Sequence, residues 1–282
     1  MPLSEVIVLA VVQGLTEFLP ISSTAHLAII PRLLHWRDPG LGFDIALHFG
    51  TLIAVVVYFF PTWINLLGGA LRANFRITSD DQGGPLTPRD KRHERLLLAY
   101  LALATIPAMI TGLIFQKAAE GSLRTPVVIG SAMIVVGLYM WWSEHAGRRE
   151  KSVLDIGVGD AVSVGVAQAF AIIPGVSRSG STISTALFRH LKREAATRFS
   201  FLLSTPIIAG AAAIEGRELV RTGLPPEMRF PFVLGVVVSA VVGYVAIWGL
   251  IRYLRTRSLI VFVAYRVAVG AFILFMGIMN SV

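Results

Sequence analysis

The chain has 282 residues, of which 55% are hydrophobic and only 15% charged, with a mean hydropathy of +0.70, whereas about 25% charge is usual in a soluble domain. This composition excludes an ordinary soluble protein and indicates a polytopic membrane protein, and the lack of cysteine excludes disulfides, thiolate catalysis and cysteine-based metal sites. We attribute the net charge of +8 to loops that fix membrane orientation rather than to nucleic-acid binding.

The first apolar segment, residues 2–35, is interrupted by the polar stretch QGLTEFLPISSTAH at positions 13–26. A backbone break at membrane depth is tolerated only where protein or a water-filled cavity surrounds it. We therefore predict a re-entrant helix hairpin. The alternative is one ordinary span with a kink at Pro20, but the hydroxyl side chains after Pro20 and the alternation of loop charge argue against it.

Six further segments are long enough, or nearly so, to cross about 30 Å of hydrocarbon as helices. They cover residues 43–60, 96–115, 125–142, 199–214, 230–251 and 259–279. Residues from about 76 to 92 are rich in Gly, Pro and Asp, which predicts a flexible cytoplasmic linker. Asp44 and His48, one turn apart, are either a second polar feature near a site or an interfacial cap, and the cap is favoured.

The Lys and Arg residues of the loops are unequally distributed. Sixteen lie in four loops on one side, residues 61–95, 143–156, 187–198 and 252–258, and seven lie on the opposite side. The positive-inside rule places the richer side in the cytoplasm. Both termini are therefore predicted on the outer face.

A second broken apolar segment, residues 157–190, is similar to the first. With a shift of 155 residues, VVQGLTEFLPISSTAHL (11–27) lies without gaps on VAQAFAIIPGVSRSGST (166–182), and Gln13 and Ser22 meet Gln168 and Ser177. Three spans follow each segment, so the second copy must enter the membrane from the opposite face. We predict an inverted-topology repeat of residues about 1–145 and 156–282 with hairpin tips that meet near the midplane.

The predicted fold class is therefore an all-α polytopic membrane protein. It has six transmembrane helices plus two re-entrant helix hairpins, and residues 1–282 form a single integral-membrane domain.

The first predicted tip carries an ionisable group inside the membrane. Gln13 and Glu17 are four residues apart and share one helix face. An intramembrane carboxylate is costly, so a functional role is the default hypothesis. The polar residues after the break are Ser22, Ser23, Thr24 and His26. The closeness of His26 to a serine and a glutamate favours a catalytic or ligand role over a structural one.

The second predicted tip reads PGVSRSGST, residues 174–182. Arg178 is its only cation, several hydroxyl side chains surround it, and free backbone amides at the start of the next helix would add positive dipole. Such groups form a receptor for an oxyanion, phosphate especially. The other intramembrane cation, Arg266, is expected to have a structural partner.

QGLTEFLPISSTAHL together with PGVSRSGSTI closely resembles the bacitracin-resistance type of undecaprenyl-pyrophosphate phosphatase. Both motifs match in order and separation, and the likeness extends over essentially the whole chain. The family's glutamate-rich motif is (E/Q)-x-x-x-E. This chain has the Gln13 form and so lacks the second carboxylate of a two-carboxylate metal site.

The resemblance implies hydrolysis of undecaprenyl pyrophosphate to the monophosphate and phosphate, which recycles the lipid carrier for cell-wall synthesis in the bacterial inner membrane. It implies a site that opens outward and an Mg²⁺ or Ca²⁺ cofactor, with Glu17 as the candidate ligand. The implied catalytic residues are Glu17, Ser23, His26 and Arg178. The candidate substrate-binding residues are Gln13, Ser22, Thr24, Gly175, Ser177, Ser179 and Thr182. The expected partners are the bilayer, a polyprenyl pyrophosphate and a second copy in a homodimer, without nucleic acid.

We predict that Ser23 Oγ attacks the terminal phosphorus, with a bound water as the competing nucleophile. Either His26 or Glu17 would remove the attacking proton, and the spacing does not choose between them. The alternative function is a polyprenyl-phosphate flippase or transporter, because inverted repeats with broken helices are typical of secondary transporters. Phosphate release by purified protein without a gradient would distinguish the two.

Overall fold

The computed structural model describes residues 1–37, 41–70 and 88–279, and nearly all of them are helical, with no β-strand in these ranges. The helices are α1 (Leu3–Phe18), α2 (Ser23–Leu33), α3 (Leu41–Tyr58), α4 (Phe60–Ala70), α5 (Pro88–Glu120), α6 (Pro126–Ala146), α7 (Val158–Ala169), α8 (Arg178–Phe188), α9 (Arg193–Thr222), α10 (Pro226–Leu254) and α11 (Ile260–Met279). Of the linker predicted at about 76–92, the part up to position 87 lies outside the described residues. The remaining part lies in α5, which begins at Pro88.

Five described stretches are long and apolar enough to cross a membrane: Arg95–Ala119, Pro126–Ala146, Arg193–Arg221, Pro226–Leu254 and Ile260–Met279. A sixth candidate is the bent pair Phe43–Tyr58 and Phe60–Gly68, which meet at 66°. The chain is therefore a multi-pass helical membrane protein with five or six candidate spans. The span predicted at 199–214 is longer than expected, because its helix continues to Thr222.

The bend between α3 and α4 has a local cause. Pro61 is the second residue of α4 and has no N–H to donate to the carbonyl four residues earlier. The helix therefore ends at Tyr58 and restarts at Phe60 in a new direction. The span predicted at 43–60 is thus the first arm of a broken helix that continues to Ala70.

The two broken apolar segments have the same backbone pattern. Helix α1 stops at Phe18, and α2 begins at Ser23; α7 stops at Ala169, a 3₁₀ turn follows, and α8 begins at Arg178. A shift of 155 residues superposes the bounds of α2 on those of α8. Positive φ values recur at shifted positions: 75° at Ser22 and 68° at Ser177, 54° at His35 and 70° at His190.

Each broken segment packs on a long helix from the other half of the chain. Helix α1 lies against α10, and α7 lies against α5; the other extensive contacts join α3 to α10 and α6 to α11. The first break is residues 19–22, between α1 and α2. Aromatic side chains pack beside it, where the rings of Phe18 and Phe201 meet edge to face at 5.3 Å. Residues 20–22 of the first break are buried by this packing, as are residues 174–177 of the second break, which separates α7 from α8.

Buried ion pairs join three polypeptide connections at one end of the bundle. The Glu144 side chain is 2% exposed and contacts Arg149 and Arg193 at 2.5 and 2.6 Å. It also accepts a hydrogen bond from the Leu259 N–H at 2.8 Å. The connections after α6, before α9 and before α11 therefore share one end, as three of the four arginine-rich loops are predicted to do.

Candidate active site

The Glu17 carboxylate is the centre of the polar contacts between the two helix breaks. Glu17 is 9% exposed and lies near the end of α1. Gln13 Nε2 donates to its Oε2 atom at 3.1 Å, and Ser23 Oγ donates to the same oxygen at 2.8 Å. Arg178 Nη2 contacts the other oxygen, Oε1, at 2.5 Å. One buried carboxylate thus joins both breaks.

Ser23 and Arg178 occupy equivalent positions as the first residues of α2 and α8. The residue before each, Ser22 or Ser177, has its φ angle in the left-handed region, which is uncommon for residues other than glycine. These turns direct the start of each helix toward Glu17. Unpaired N–H groups at a helix start favour a bound anion, so both helices contribute positive potential at this point.

The imidazole of His26 is held by two groups other than Ser23. Its Nδ1 atom lies 2.7 Å from the Ser22 carbonyl oxygen, and its Nε2 atom lies 2.7 Å from the Tyr265 hydroxyl. The His26 and Tyr265 rings are stacked at 5.7 Å. Of the two candidate bases, Glu17 therefore contacts the serine.

The hydroxyl groups of the second break form bonds within the protein. Ser177 Oγ caps α8 by accepting from the Gly180 N–H at 3.1 Å and lies 3.3 Å from Ser179 Oγ. Thr182 is fully buried and donates to the Arg178 carbonyl at 2.7 Å. Its oxygen also lies 2.6 Å from Ser200 Oγ in α9. Ser177 and Thr182 therefore shape the second break around Arg178, and direct substrate contact by either stays a prediction.

Two further hydrogen bonds join the breaks, besides the contact of Arg178 with Glu17. The Gly175 N–H donates to Thr24 Oγ1 at 3.3 Å, and Ser179 Oγ donates to the Leu19 carbonyl at 3.2 Å. Thr24 Oγ1 is also 3.1 Å from Ser22 Oγ. The seven candidate substrate-binding residues thus include groups from both breaks that touch one another.

Gly175 permits the close approach of the second break to α6. Its φ is +95°, and a Cβ atom there would lie 2.5 Å from the Ile129 carbonyl oxygen. Any other residue would meet both the left-handed backbone penalty and a steric clash with backbone.

Arg266 fixes the two breaks relative to each other. The side chain is fully buried. It donates to the carbonyl oxygens of Pro20 at 3.4 Å, Gly175 at 2.8 Å and Val176 at 3.1 Å. The partners of this intramembrane cation are therefore backbone carbonyls, which agrees with the structural role expected from the sequence.

His48 lies in α3 and makes a local hydrogen bond there. Its Nδ1 atom is 2.8 Å from the Asp44 carbonyl oxygen, one turn earlier in α3. The role of Asp44 and His48, as a second polar feature near the site or as an interfacial cap, stays a prediction.

Sequence comparison agrees with this geometry. A family model described as "Bacitracin resistance protein BacA" matches residues 6–272. The chain is 44% identical to an undecaprenyl-diphosphatase of Moorella thermoacetica over 97% of both proteins. It is 43% identical to an undecaprenyl-diphosphatase of Desulforudis audaxviator over 98% of both.

This chain belongs to the BacA family.

Tyr265 is the functional candidate of this BacA family protein that sequence reasoning misses. It is separated from His26 by 239 residues and lies in a largely apolar span, directly before Arg266. A tyrosine in such a span has many ordinary packing roles, so the sequence carries no signal for this pairing. Ser200, the partner of Thr182, is missed for the same reason.

The residues around Glu17 offer limited ligands for a divalent cation. Among the described residues, no group of three or more His, Asp or Glu side chains could hold a metal ion. The Gln13 Oε1 atom, however, is buried without a hydrogen-bond partner beside the Glu17 carboxylate. Magnesium is commonly bound by one or two carboxylates together with substrate phosphates. Gln13 and Glu17 fit that shared mode and do not form a closed protein cage.

Proposed function

We propose that this BacA family protein hydrolyses undecaprenyl diphosphate to undecaprenyl phosphate and inorganic phosphate, and so recycles the lipid carrier of cell-wall synthesis. Relatives that match over nearly their whole length are named undecaprenyl-diphosphatase. One observation carries the proposal. The Ser23 hydroxyl and the Arg178 guanidinium contact the two oxygens of one buried carboxylate, Glu17. A nucleophile, a base and an anion-binding group therefore meet at one point.

Ser23 is the proposed nucleophile, and Glu17 is the proposed base. Attack of Ser23 Oγ on the terminal phosphorus forms a phosphoserine and breaks the bond from that phosphorus to the bridging oxygen, so undecaprenyl phosphate leaves. The hydroxyl proton passes to Glu17 Oε2, which lies 2.8 Å away. Glu17 is preferred to His26 because both ring nitrogens of His26 contact other groups. A bound water is the competing nucleophile.

Arg178 is the proposed clamp for the terminal phosphate. Its guanidinium is paired with Glu17. A phosphate group carries more charge than a carboxylate, so it competes for the guanidinium and frees Glu17 to accept a proton. Phosphoryl transfer depends mainly on such positioning and charge stabilisation. The hydroxyl and amide groups of Ser22, Thr24, Gly175 and Ser179 are proposed to bind the remaining diphosphate oxygens.

The alternative role that we propose for Glu17, in place of the base, is to hold an Mg²⁺ or Ca²⁺ ion together with Gln13. When bound, such an ion would reduce the negative charge of the substrate. The unpartnered Gln13 Oε1 atom supports this proposal, because a buried acceptor without a partner is costly unless a ligand completes it.

The proposed architecture is an inverted repeat with two re-entrant hairpins, α1–α2 and α7–α8. The common bounds of α2 and α8 after a shift of 155 residues support it, as do the repeated positive φ angles. The reciprocal packing of α1 on α10 and α7 on α5 supports it further. An outward-opening site, outer termini in the bacterial inner membrane and a homodimer stay predictions.

The test of the proposed function is phosphate release by purified protein in detergent, with polyprenyl diphosphates of several lengths and no gradient. We expect wild type to release phosphate, Glu17→Ala to lose nearly all release, and a chelator to lower the wild-type rate. Movement of polyprenyl phosphate across vesicles without any phosphate release would contradict the proposal and favour the transporter.

A further inference from the structure

Arg266 is a fully buried cation at the junction of the two breaks. Its guanidinium donates to the carbonyl oxygens of Pro20 at 3.4 Å and of Gly175 at 2.8 Å. These two residues are 155 positions apart, so they are equivalent in the two similar segments. One cation therefore lies between corresponding points of the first and the second break.

No carboxylate among the described residues is paired with the Arg266 guanidinium. Besides Pro20 and Gly175, its hydrogen-bond acceptors are the backbone carbonyl oxygens of Ala132, Met133 and Val176. A carbonyl oxygen satisfies a guanidinium donor but carries no net charge that could neutralise it. Arg178, by contrast, is paired with Glu17. These three ionised groups thus bring two positive charges and one negative charge to the breaks, and an uncompensated buried charge is costly.

The helix contact that carries Arg266 does not itself require a cation. Helices α6 and α11 contact each other reciprocally through glycines. A Cβ atom on Gly137 of α6 would lie 3.3 Å from Arg266 Cβ, and a Cβ atom on Gly277 of α11 would lie 2.9 Å from Pro126 Cβ. Pro126 therefore occupies the place in α6 that Arg266 occupies in α11, and it is uncharged. Because a proline serves in one half of this contact, helix packing does not explain the charge in the other half.

The Arg266 guanidinium lies at the end of α8 that Arg178 begins. Gly180 is the third residue of α8, and a Cβ atom there would lie 3.5 Å from Arg266 Nη1. Free N–H groups at a helix start favour a bound anion. A lipid diphosphate carries about one negative charge more than the corresponding monophosphate. The Arg178 charge is already offset by Glu17, so the charge of Arg266 is available to balance the additional charge of a diphosphate.

We propose that the charge of Arg266 determines the selectivity of the site for a diphosphate over a monophosphate headgroup. This inference rests on the proposed function. The carbonyl oxygens hold the guanidinium in place without neutralising it, and the bound diphosphate supplies the counter-charge. Arg266 acts on the headgroup through its electric field, which salt screens only weakly because the side chain is buried. The monophosphate product carries less charge and is therefore held less tightly.

The test measures binding to Arg266→Gln and Arg266→Lys in detergent by isothermal titration calorimetry. The probes share one prenyl chain and differ in the headgroup, which is a non-hydrolysable methylene diphosphonate, a monophosphate or an alcohol. For Arg266→Gln we expect the ratio of diphosphonate to monophosphate affinity to fall about tenfold, the scale of one nearby charge in a partly shielded site. The affinity for the alcohol should not change. Arg266→Lys keeps the charge and should keep most of the selectivity.

The matched control is Arg252→Gln. Arg252 is exposed in the last turn of α10, beside the ring of Trp248. This variant removes the same charge from the protein as Arg266→Gln, and its affinity ratio should equal that of wild type. Thermal unfolding in detergent checks that each variant is folded. If Arg266→Gln does not fold, Arg266→Met replaces it, because an unbranched apolar side chain fits irregular buried space.

A purely structural role of Arg266 predicts a different pattern. Loss of the link between the breaks would weaken diphosphonate and monophosphate by the same factor, so an unchanged affinity ratio in the neutral variant overturns the inference. If neither neutral variant folds, Arg266→Lys decides, because loss of selectivity despite the retained charge also overturns it. Failure of the proposed function has another signature: wild type would bind the diphosphonate but release no phosphate from a polyprenyl diphosphate.

Discussion

A serine hydroxyl at the start of a helix is a weak nucleophile until a neighbouring group removes its proton. Ser23 has such a neighbour in Glu17, whose Oε2 atom lies 2.8 Å away. We expect Ser23→Ala to lose both turnover and acid-stable labelling of the protein from terminally labelled substrate. The control is Ser163→Ala, because the Ser163 hydroxyl donates to the Gly159 carbonyl within α7. Near-normal turnover of Ser23→Ala would assign the attack to water instead.

Arg178 is the residue whose loss should weaken charge stabilisation most. It is the guanidinium that contacts Glu17 from the second break. We expect Arg178→Ala to lower the rate of phosphate release by about 10²–10³-fold, the scale for removal of one preorganised donor to an oxyanion. Arg178→Lys keeps the charge but loses the planar pair of donors, so it should restore only part of the rate. A loss below tenfold for Arg178→Ala would reject this residue as the principal phosphate clamp.

At the scale of the helix, the site depends on how closely the broken segments approach their neighbours. A Cβ atom on Gly165 in α7 would lie 2.6 Å from the Ala104 carbonyl oxygen of α5. The backbone of Ala104 cannot shift to relieve this contact, whereas the end of a flexible side chain could. Small residues are what allow such close helix contacts in membranes.

We therefore expect Gly165→Ala to displace α7, to lower the thermal unfolding temperature in detergent and to reduce phosphate release. The matched control is Gly112→Ala in α5, where an added Cβ would have no atom within 4 Å. An alanine there replaces a poor helix former with a good one, so stability should be unchanged or slightly increased. Equal behaviour of the two variants would show that the α5–α7 contact does not position the second break.

At the scale of the whole molecule, the predicted orientation can be tested with single cysteines, because the chain has none of its own. Ser122, between α5 and α6, and Glu150, after α6, are both exposed. We expect a membrane-impermeant maleimide to label Ser122→Cys in intact cells and Glu150→Cys only after permeabilisation. The parent chain should not react. The reverse pattern would place the arginine-rich loops outside and contradict the predicted orientation.

Much of the membrane architecture follows from the sequence alone. Hydrocarbon excludes unpaired backbone groups and charges, so apolar length predicts the spans, and the polar stretch at residues 13–26 predicts where a helix is broken. The shift of 155 residues also predicts which positions are equivalent, and Ser22 and Ser177 have matching backbone angles. The sequence predicts one span at 43–60 and misses the bend between α3 and α4, although Pro61 provides its local cause.

The partners of the site residues were decided only by the tertiary structure. The sequence places Glu17 six residues before Ser23 and His26 three residues after it, which does not choose between them as the base. The packing of the breaks brings Glu17 to the serine and turns His26 toward Tyr265. In a membrane protein the lipid-facing and protein-facing sides of a helix are both apolar, so hydropathy does not reveal which helices pack together. His26 and Tyr265, 239 residues apart, meet because α11 packs on α6. The same packing places Arg266 against both breaks.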